Sequence, residues 1–186
     1  GNGGIGISFR TAGSLTVSSG AMVSGGDVGG AGSAGVLFTS GNAFNGDPGH
    51  AGALGKSGGV GVQAAGPLSI LVEGTVQGGL NGDGSRADAM RLYSGGNRLE
   101  LWASYAINGK VVAGGNSNTL VLSGGANGSF NLSSLGSQYQ GFDQFEKNGT
   151  SIWSVAGTNT TTLDNVRVDG GTLALTGSST TLKSTN

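Results

Sequence analysis

The sequence predicts an all-β solenoid: a β-helix of about seven rungs whose short strands stack on the equivalent strands of the next rung. Three observations carry this. Gly, Ser, Thr and Asn make up 93 of the 186 residues, and these residues weaken helix interiors. Leu, Val, Ile and Phe still total 42, with a net charge of only −1, more apolar mass and less uncompensated charge than a disordered chain carries. Short apolar runs recur between Gly-rich connections at a period of a few tens of residues, without helical periodicity. A chain this lean in apolar side chains needs a fold that asks for little apolar mass per residue.

The first run, Gly4-Ile5-Gly6-Ile7-Ser8-Phe9, is echoed by Gly35-Val36-Leu37-Phe38, Gly59-Val60-Gly61-Val62 and Ala89-Met90-Arg91-Leu92. A second marker follows two of them. It is Leu15-Thr16-Val17 with Gly20-Ala21-Met22-Val23, and Leu68-Ser69-Ile70 with Gly74-Thr75-Val76-Gln77. The pattern is strand, turn, strand, Gly-rich loop. Glycine suits the corners because it accepts positive φ, and small side chains let rungs stack at the ~4.8 Å strand spacing. At roughly 25 residues per rung the rod is near 35 Å long. The connections Gly25–Ala34, Gly46–Gly58 and Gly78–Asp88 fall at one phase of the repeat and read as flexible spacer along one side of the rod.

Residues 1–93 form the Gly-rich part, and residues 94–186 continue the same solenoid with longer strand signals. Of the 41 glycines, 28 lie in the first hundred residues; of the eleven aromatics, eight lie at or after Tyr93. Leu99-Glu100-Leu101-Trp102 alternates. Tyr105 to Val112 reads as strand, Asn-Gly turn and strand. Thr119-Leu120-Val121-Leu122, Ser129 to Leu132, Leu163 to Val168 and Gly171 to Leu175 follow. A better-filled core is expected here, because aromatics carry the largest apolar area per residue.

Nine basic against ten acidic residues, scattered without a run, give no electrostatic attraction to nucleic acid. There is no cysteine, so disulfides, thiolate metal sites and cysteine nucleophiles are excluded. No stretch approaches the ~18 apolar residues of a membrane helix. Both ends sit inside continuing patterns, and the chain reads as a segment of a longer polypeptide.

The later motifs resemble the passenger of a bacterial autotransporter. Asn97-Arg98-Leu99-Glu100-Leu101 through Asn108-Gly109, and Asn116 to Gly124, are similar to rungs near the C-terminal end of such passengers. Tyr139 to Gly157 resembles the pattern GF-x-x-F-x-K-x-G-x-x-x-W-x-L-x-G, here with Gly141, Phe142, Phe145, Lys147, Gly149, Trp153 and Gly157, and with Val155 in place of Leu. Gly170 to Leu175 is similar to the passenger-associated repeat. The good match covers residues 94–177, and residues 1–93 match only in texture. The resemblance implies a right-handed parallel β-helix, displayed at the surface of a Gram-negative cell by a C-terminal outer-membrane β-barrel of the parent chain. It implies a structural stalk serving adhesion to a host surface or self-association. It also implies an autochaperone-like region at about 139–177, with Phe142, Phe145, Trp153, Leu173 and Leu175 as packing residues of a folding nucleus. No cofactor, metal or catalytic residue is implied.

Other constellations have weaker support. The only histidine, His50, lies in Gly46-Asp47-Pro48-Gly49-His50 with no GxSxG element nearby, and Asp47-Pro48 reads as a turn. Asn81-Gly82-Asp83-Gly84-Ser85 with Asp88 offers two carboxylates, fewer than a calcium loop needs. Glu73 and Glu100 stand about one rung apart and could stack. Paired carboxylates of this kind would serve a polysaccharide lyase or hydrolase, the alternative reading. A carbohydrate-binding module would need a row of exposed aromatics, for which Trp102, Tyr105 and Tyr139 are the candidates.

Overall fold

The computed structural model describes residues 1–30 and 55–185. It is all-β, with every strand-to-strand pair among the described residues parallel. Strands come in successive sets of three, here termed tiers. The first tier is β1 (Ile7–Phe9), β2 (Gly13–Val17) and β3 (Met22–Ser24); the second is β4 (Val62–Ala64), β5 (Leu68–Val72) and β6 (Thr75–Gln77). The third is β7 (Met90–Leu92), β8 (Arg98–Leu101) and β9 (Ala106–Asn108), and the fourth β10 (Val111–Ala113), β11 (Thr119–Leu122) and β12 (Gly128–Asn131). The fifth is β13 (Tyr139–Gln140), β14 (Gln144–Lys147) and β15 (Ile152–Ala156), and β16 (Asn165–Val168) with β17 (Thr172–Leu175) opens the sixth.

Each tier sends its strands to different sheets. First strands form a five-stranded sheet, β1-β4-β7-β10-β13, and second strands a six-stranded one, β2-β5-β8-β11-β14-β16. Third strands form two separate three-stranded sheets, β3-β6-β9 and β12-β15-β17. Neighbours in chain order therefore never pair as a hairpin. Across Asn108-Gly109, where the sequence signals a turn, β9 and β10 leave for different sheets, and Gly109 takes φ 114° at that corner.

Stacking in register aligns like side chains in columns. Inside the six-stranded sheet run Leu15–Ile70–Leu99–Leu120–Phe145–Val166 and Val17–Val72–Leu101–Leu122–Lys147–Val168. The five-stranded sheet contributes Ile7–Val62–Met90–Val111–Tyr139. These columns are the core, and its middle is fully buried. Parallel strands buried on one face normally need Val, Ile and Leu at alternate positions, which the short runs supply.

The runs starting at Gly4, Gly59 and Ala89 do stack, as β1, β4 and β7. β1 and β4 pair directly, Ile7 with Val62; the expected copy at Gly35–Phe38 lies outside the described residues, as do Phe44, Asp47-Pro48 and His50.

The described Gly-rich connections are not spacer. They form a second bundle beside the first two tiers, held mainly backbone to backbone. The Gly26 amide donates to Gly4 O at 2.8 Å, Gly59 to Gly26 O at 2.8 Å, and Gly79 to Gly59 O at 2.9 Å. Val28 donates to Leu80 O at 3.0 Å and Gly29 to Gly1 O at 2.9 Å. A Cβ at Gly59 would fall 1.8 Å from Gly4 O, one at Gly25 1.9 Å from Gly59 O, and one at Gly79 2.0 Å from Gly26 O. None of these glycines has positive φ. Glycine is needed here for backbone-to-backbone approach, not for corner conformations. Two side chains lock the bundle: Asn2 Oδ1 accepts from the Lys56 amide at 3.1 Å, and Asp27 Oδ1 from the Leu80 amide at 2.8 Å.

Candidate functional site

An aromatic cluster spans the third to fifth tiers. Phe130 packs against Tyr139 (ring centroids 5.5 Å) and Phe145 (6.0 Å), and Tyr105 stacks on Trp153 at 6.3 Å and 27°. Trp153 is fully buried. Its indole N–H donates to Ser123 O at 3.1 Å, and its ring crosses Gly128, where a Cβ would come within 2.9 Å. This lies where the two third-face sheets part. Phe142 and Phe145 are also buried, and Leu173 packs against the cluster. Leu175 departs from the expected packing role. Its register behind Val155 points it inward, but β17 is the outermost strand of its sheet among the described residues, and Leu175 is 53 % exposed.

Lys147 shares the inward column with Leu122 and Val168 and is fully buried. Its ammonium reaches the carbonyls of Asn148 and of Gly170, the latter at 3.1 Å. Desolvation lowers its pKa from the ordinary lysine value. The lysine of the quoted motif thus places its stem in the core and its charge on backbone oxygens.

A buried asparagine ladder turns the corner between the first and second sheets. The Asn118 Oδ1 accepts from the Asn97 amide at 3.0 Å and from its side-chain Nδ2 at 2.8 Å, and Asn97 Oδ1 accepts from the Leu68 amide at 2.9 Å. Asn118 Nδ2 donates to Gly114 O at 3.0 Å and Gly141 O at 2.8 Å. These residues were not singled out from the sequence as a pair. The signal was present, because each Asn immediately precedes a strand that stacks on the other.

The outer face of the six-stranded sheet carries an ion-pair ladder. Arg98 Nη1 donates to Glu146 Oε2 at 2.7 Å and Nη2 reaches Glu100 at 3.5 Å. Arg167 bridges Glu146 at 3.7 Å and Asp169 at 2.5 Å. Val121 lies between Glu100 and Glu146 in register and is buried beneath the network. Glu73 does not stack on Glu100. Leu71 and Val121 are the partners of Glu100, while Glu73 follows β5 at the next corner, its backbone carbonyl accepting from Ser104 Oγ at 2.9 Å. Tier lengths are unequal, so a sequence separation near one rung does not fix register. Asp83 is held by the Ser85 amide at 2.9 Å and hydroxyl at 2.6 Å, which lower its pKa. Asp88 is held by Arg91.

The three aromatic candidates for a binding row divide. Tyr139 is buried, and Tyr105 packs partly buried against the core. Burial raises the pKa of both, and that of Tyr139 goes well above the ordinary tyrosine value. Trp102 alone of the three lines a surface cleft of about 320 Å³, together with Glu73, Ser104 and the Gly124-Gly125-Ala126 corner. Its indole N–H donates to Glu100 Oε1 at 2.9 Å. Compared with known proteins, the chain matches no family model, no curated protein and no solved structure.

Proposed function

We propose that the tiers wind as a right-handed parallel β-helix and that the chain is a structural stalk segment of an exported, surface-displayed passenger of the autotransporter type. One observation carries the reading: parallel strands stacked in register, with the aromatic mass concentrated in the third to fifth tiers. Parallel, non-local pairing is slow to nucleate. An aromatic block that buries large area at once lowers that barrier, and glycine-rich tiers then add one at a time on an existing edge. Such growth suits a chain that leaves a membrane pore progressively. The outer faces offer ladders of polar side chains: Arg98–Glu146–Arg167 on one, and on another Asn108, Gln77 and Ser24, whose amides and hydroxyl link at 3.4 Å and 3.3 Å. Repeating polar faces of this kind serve contact with a host surface or with a second copy of the chain.

The test is display. The chain is spliced ahead of an outer-membrane autotransporter barrel in a Gram-negative cell, and surface exposure and cell settling are measured against the barrel alone. The reading predicts protease-accessible chain at the surface and faster settling or increased adherence to epithelial monolayers. Retention of the chain in the periplasm, or display with neither effect, overturns it.

A further inference from the structure

We infer that the Trp102 cleft is a binding site for an organic ammonium group. Three features converge there. The indole is fixed in place: its N–H is satisfied by Glu100 at 2.9 Å, and a Cβ at Gly124 would already lie 3.2 Å from the ring. Room beside it exists because the adjoining corner is Gly124-Gly125-Ala126, three small residues lining the same cleft of about 320 Å³. The polar wall is Ser104, whose hydroxyl donates to the Glu73 carbonyl at 2.9 Å, and Glu73, whose carboxylate accepts from the Ser19 amide at 3.4 Å and is in no ion pair among the described residues. Glu100, by contrast, already shares Arg98.

A ring face carries the negative end of the aromatic quadrupole and attracts cations placed over it. Glu73 on the wall of the same cleft adds a negative charge that meets no cation among the described residues. An indole beside a carboxylate that is in no ion pair therefore favours an organic ammonium, either a trimethylammonium headgroup or a lysine side-chain ammonium. The inference stands on the cleft alone and does not rest on the stalk reading.

Tryptophan fluorescence tests it directly, because the second tryptophan, Trp153, is fully buried. The purified chain is titrated with tetramethylammonium chloride, with sodium chloride as the ionic-strength control, and then with phosphocholine, N-acetyl-lysine methylamide and the neutral methyl glucoside. A saturable change above the sodium control is expected. Glu73→Gln should weaken it about tenfold, equivalent to one charged contact, and Ala126→Leu should abolish it by filling the cleft without touching a charge. Far-UV circular dichroism checks that both variants keep the fold. Tighter binding of phosphocholine points to a headgroup and tighter binding of the lysine derivative to a protein side chain; either supports the site. Absence of a saturable change, a change undiminished in Glu73→Gln, or equal binding of the neutral methyl glucoside overturns it.

Discussion

Replacing Gly59 by alanine isolates what the glycine bundle contributes. The new Cβ would sit 1.8 Å from Gly4 O and 2.4 Å from Gly4 C, both backbone atoms that no rotamer change can move. Ordinary contact needs ~3.5 Å, so the two segments must part by well over an ångström. The Gly59 amide bonds Gly26 O at 2.8 Å and the Gly26 amide bonds Gly4 O at 2.8 Å; neither survives such a displacement. A buried backbone hydrogen bond left unmade costs about 1–3 kcal/mol. With Gly59 buried and Gly26 more exposed, the sum is about 2–4 kcal/mol. Gly4→Ala is the control, since its Cβ meets nothing within 4 Å and its φ is not positive. It should change stability by less than about 1 kcal/mol. Native-state hydrogen exchange at the Gly26, Gly59 and Gly79 amides, with urea unfolding alongside, reads both local and global opening. If Gly59→Ala and Gly4→Ala lie within about 0.5 kcal/mol of each other, the close-packed backbone bundle is wrong and these segments are the spacer that composition alone suggests.

Trp153→Ala should cost about 3–5 kcal/mol, slow refolding, and open residues 139–177 to limited proteolysis; unchanged refolding and cleavage would remove the folding-nucleus role. Asn118→Ala strips the Asn97 amide and the carbonyls of Gly114 and Gly141 of their partner. A loss of about 2–4 kcal/mol in urea unfolding is expected, against under about 1 kcal/mol for the exposed Asn116→Ala. Stability should fall as pH rises above about 10. Tyr139 is kept neutral by burial, so its pKa in the fold is raised, and its stabilisation is complete below the ordinary tyrosine value of 10.0 and lost above it. Lys147 works the other way, its pKa being lowered by burial, so its unfavourable charge is relieved as pH rises toward the ordinary lysine value. Tyr139→Phe should flatten the alkaline loss seen by circular dichroism; an unaltered profile would mean that the phenol does not govern it.

Much of the stacking could be read in advance because parallel tiers repeat their apolar positions. Leu99 and Phe145 each stand between two polar residues, Ile70 and Leu120 each follow one, and these positions fall in one column. What escaped was information held between tiers. A run such as Gly25-Gly26 has the composition of a linker whether or not another backbone lies 3 Å away, since the difference resides in the neighbouring tier. Glu73 and Glu100 stand about one rung apart in sequence, which allows stacking, yet the step from Ile70 to Leu99 is longer than that from Leu99 to Leu120. Leu175 follows the inward pattern but lies on an outermost strand, a property of position in the sheet that alternation does not encode. Trp102 and Trp153 read alike as aromatics; only the small corner at Gly124-Gly125-Ala126 leaves one of them lining a cleft.

Each tier is held by the backbone of the next. Through-hydrogen-bond couplings and inter-strand NOEs on the isotopically labelled chain test it most directly. Parallel contacts that climb from Ile70 to Leu99, Leu120 and Phe145 in turn are expected. Antiparallel pairing of Ala106–Asn108 with Val111–Ala113 across Asn108-Gly109, as in a β-hairpin, would contradict it.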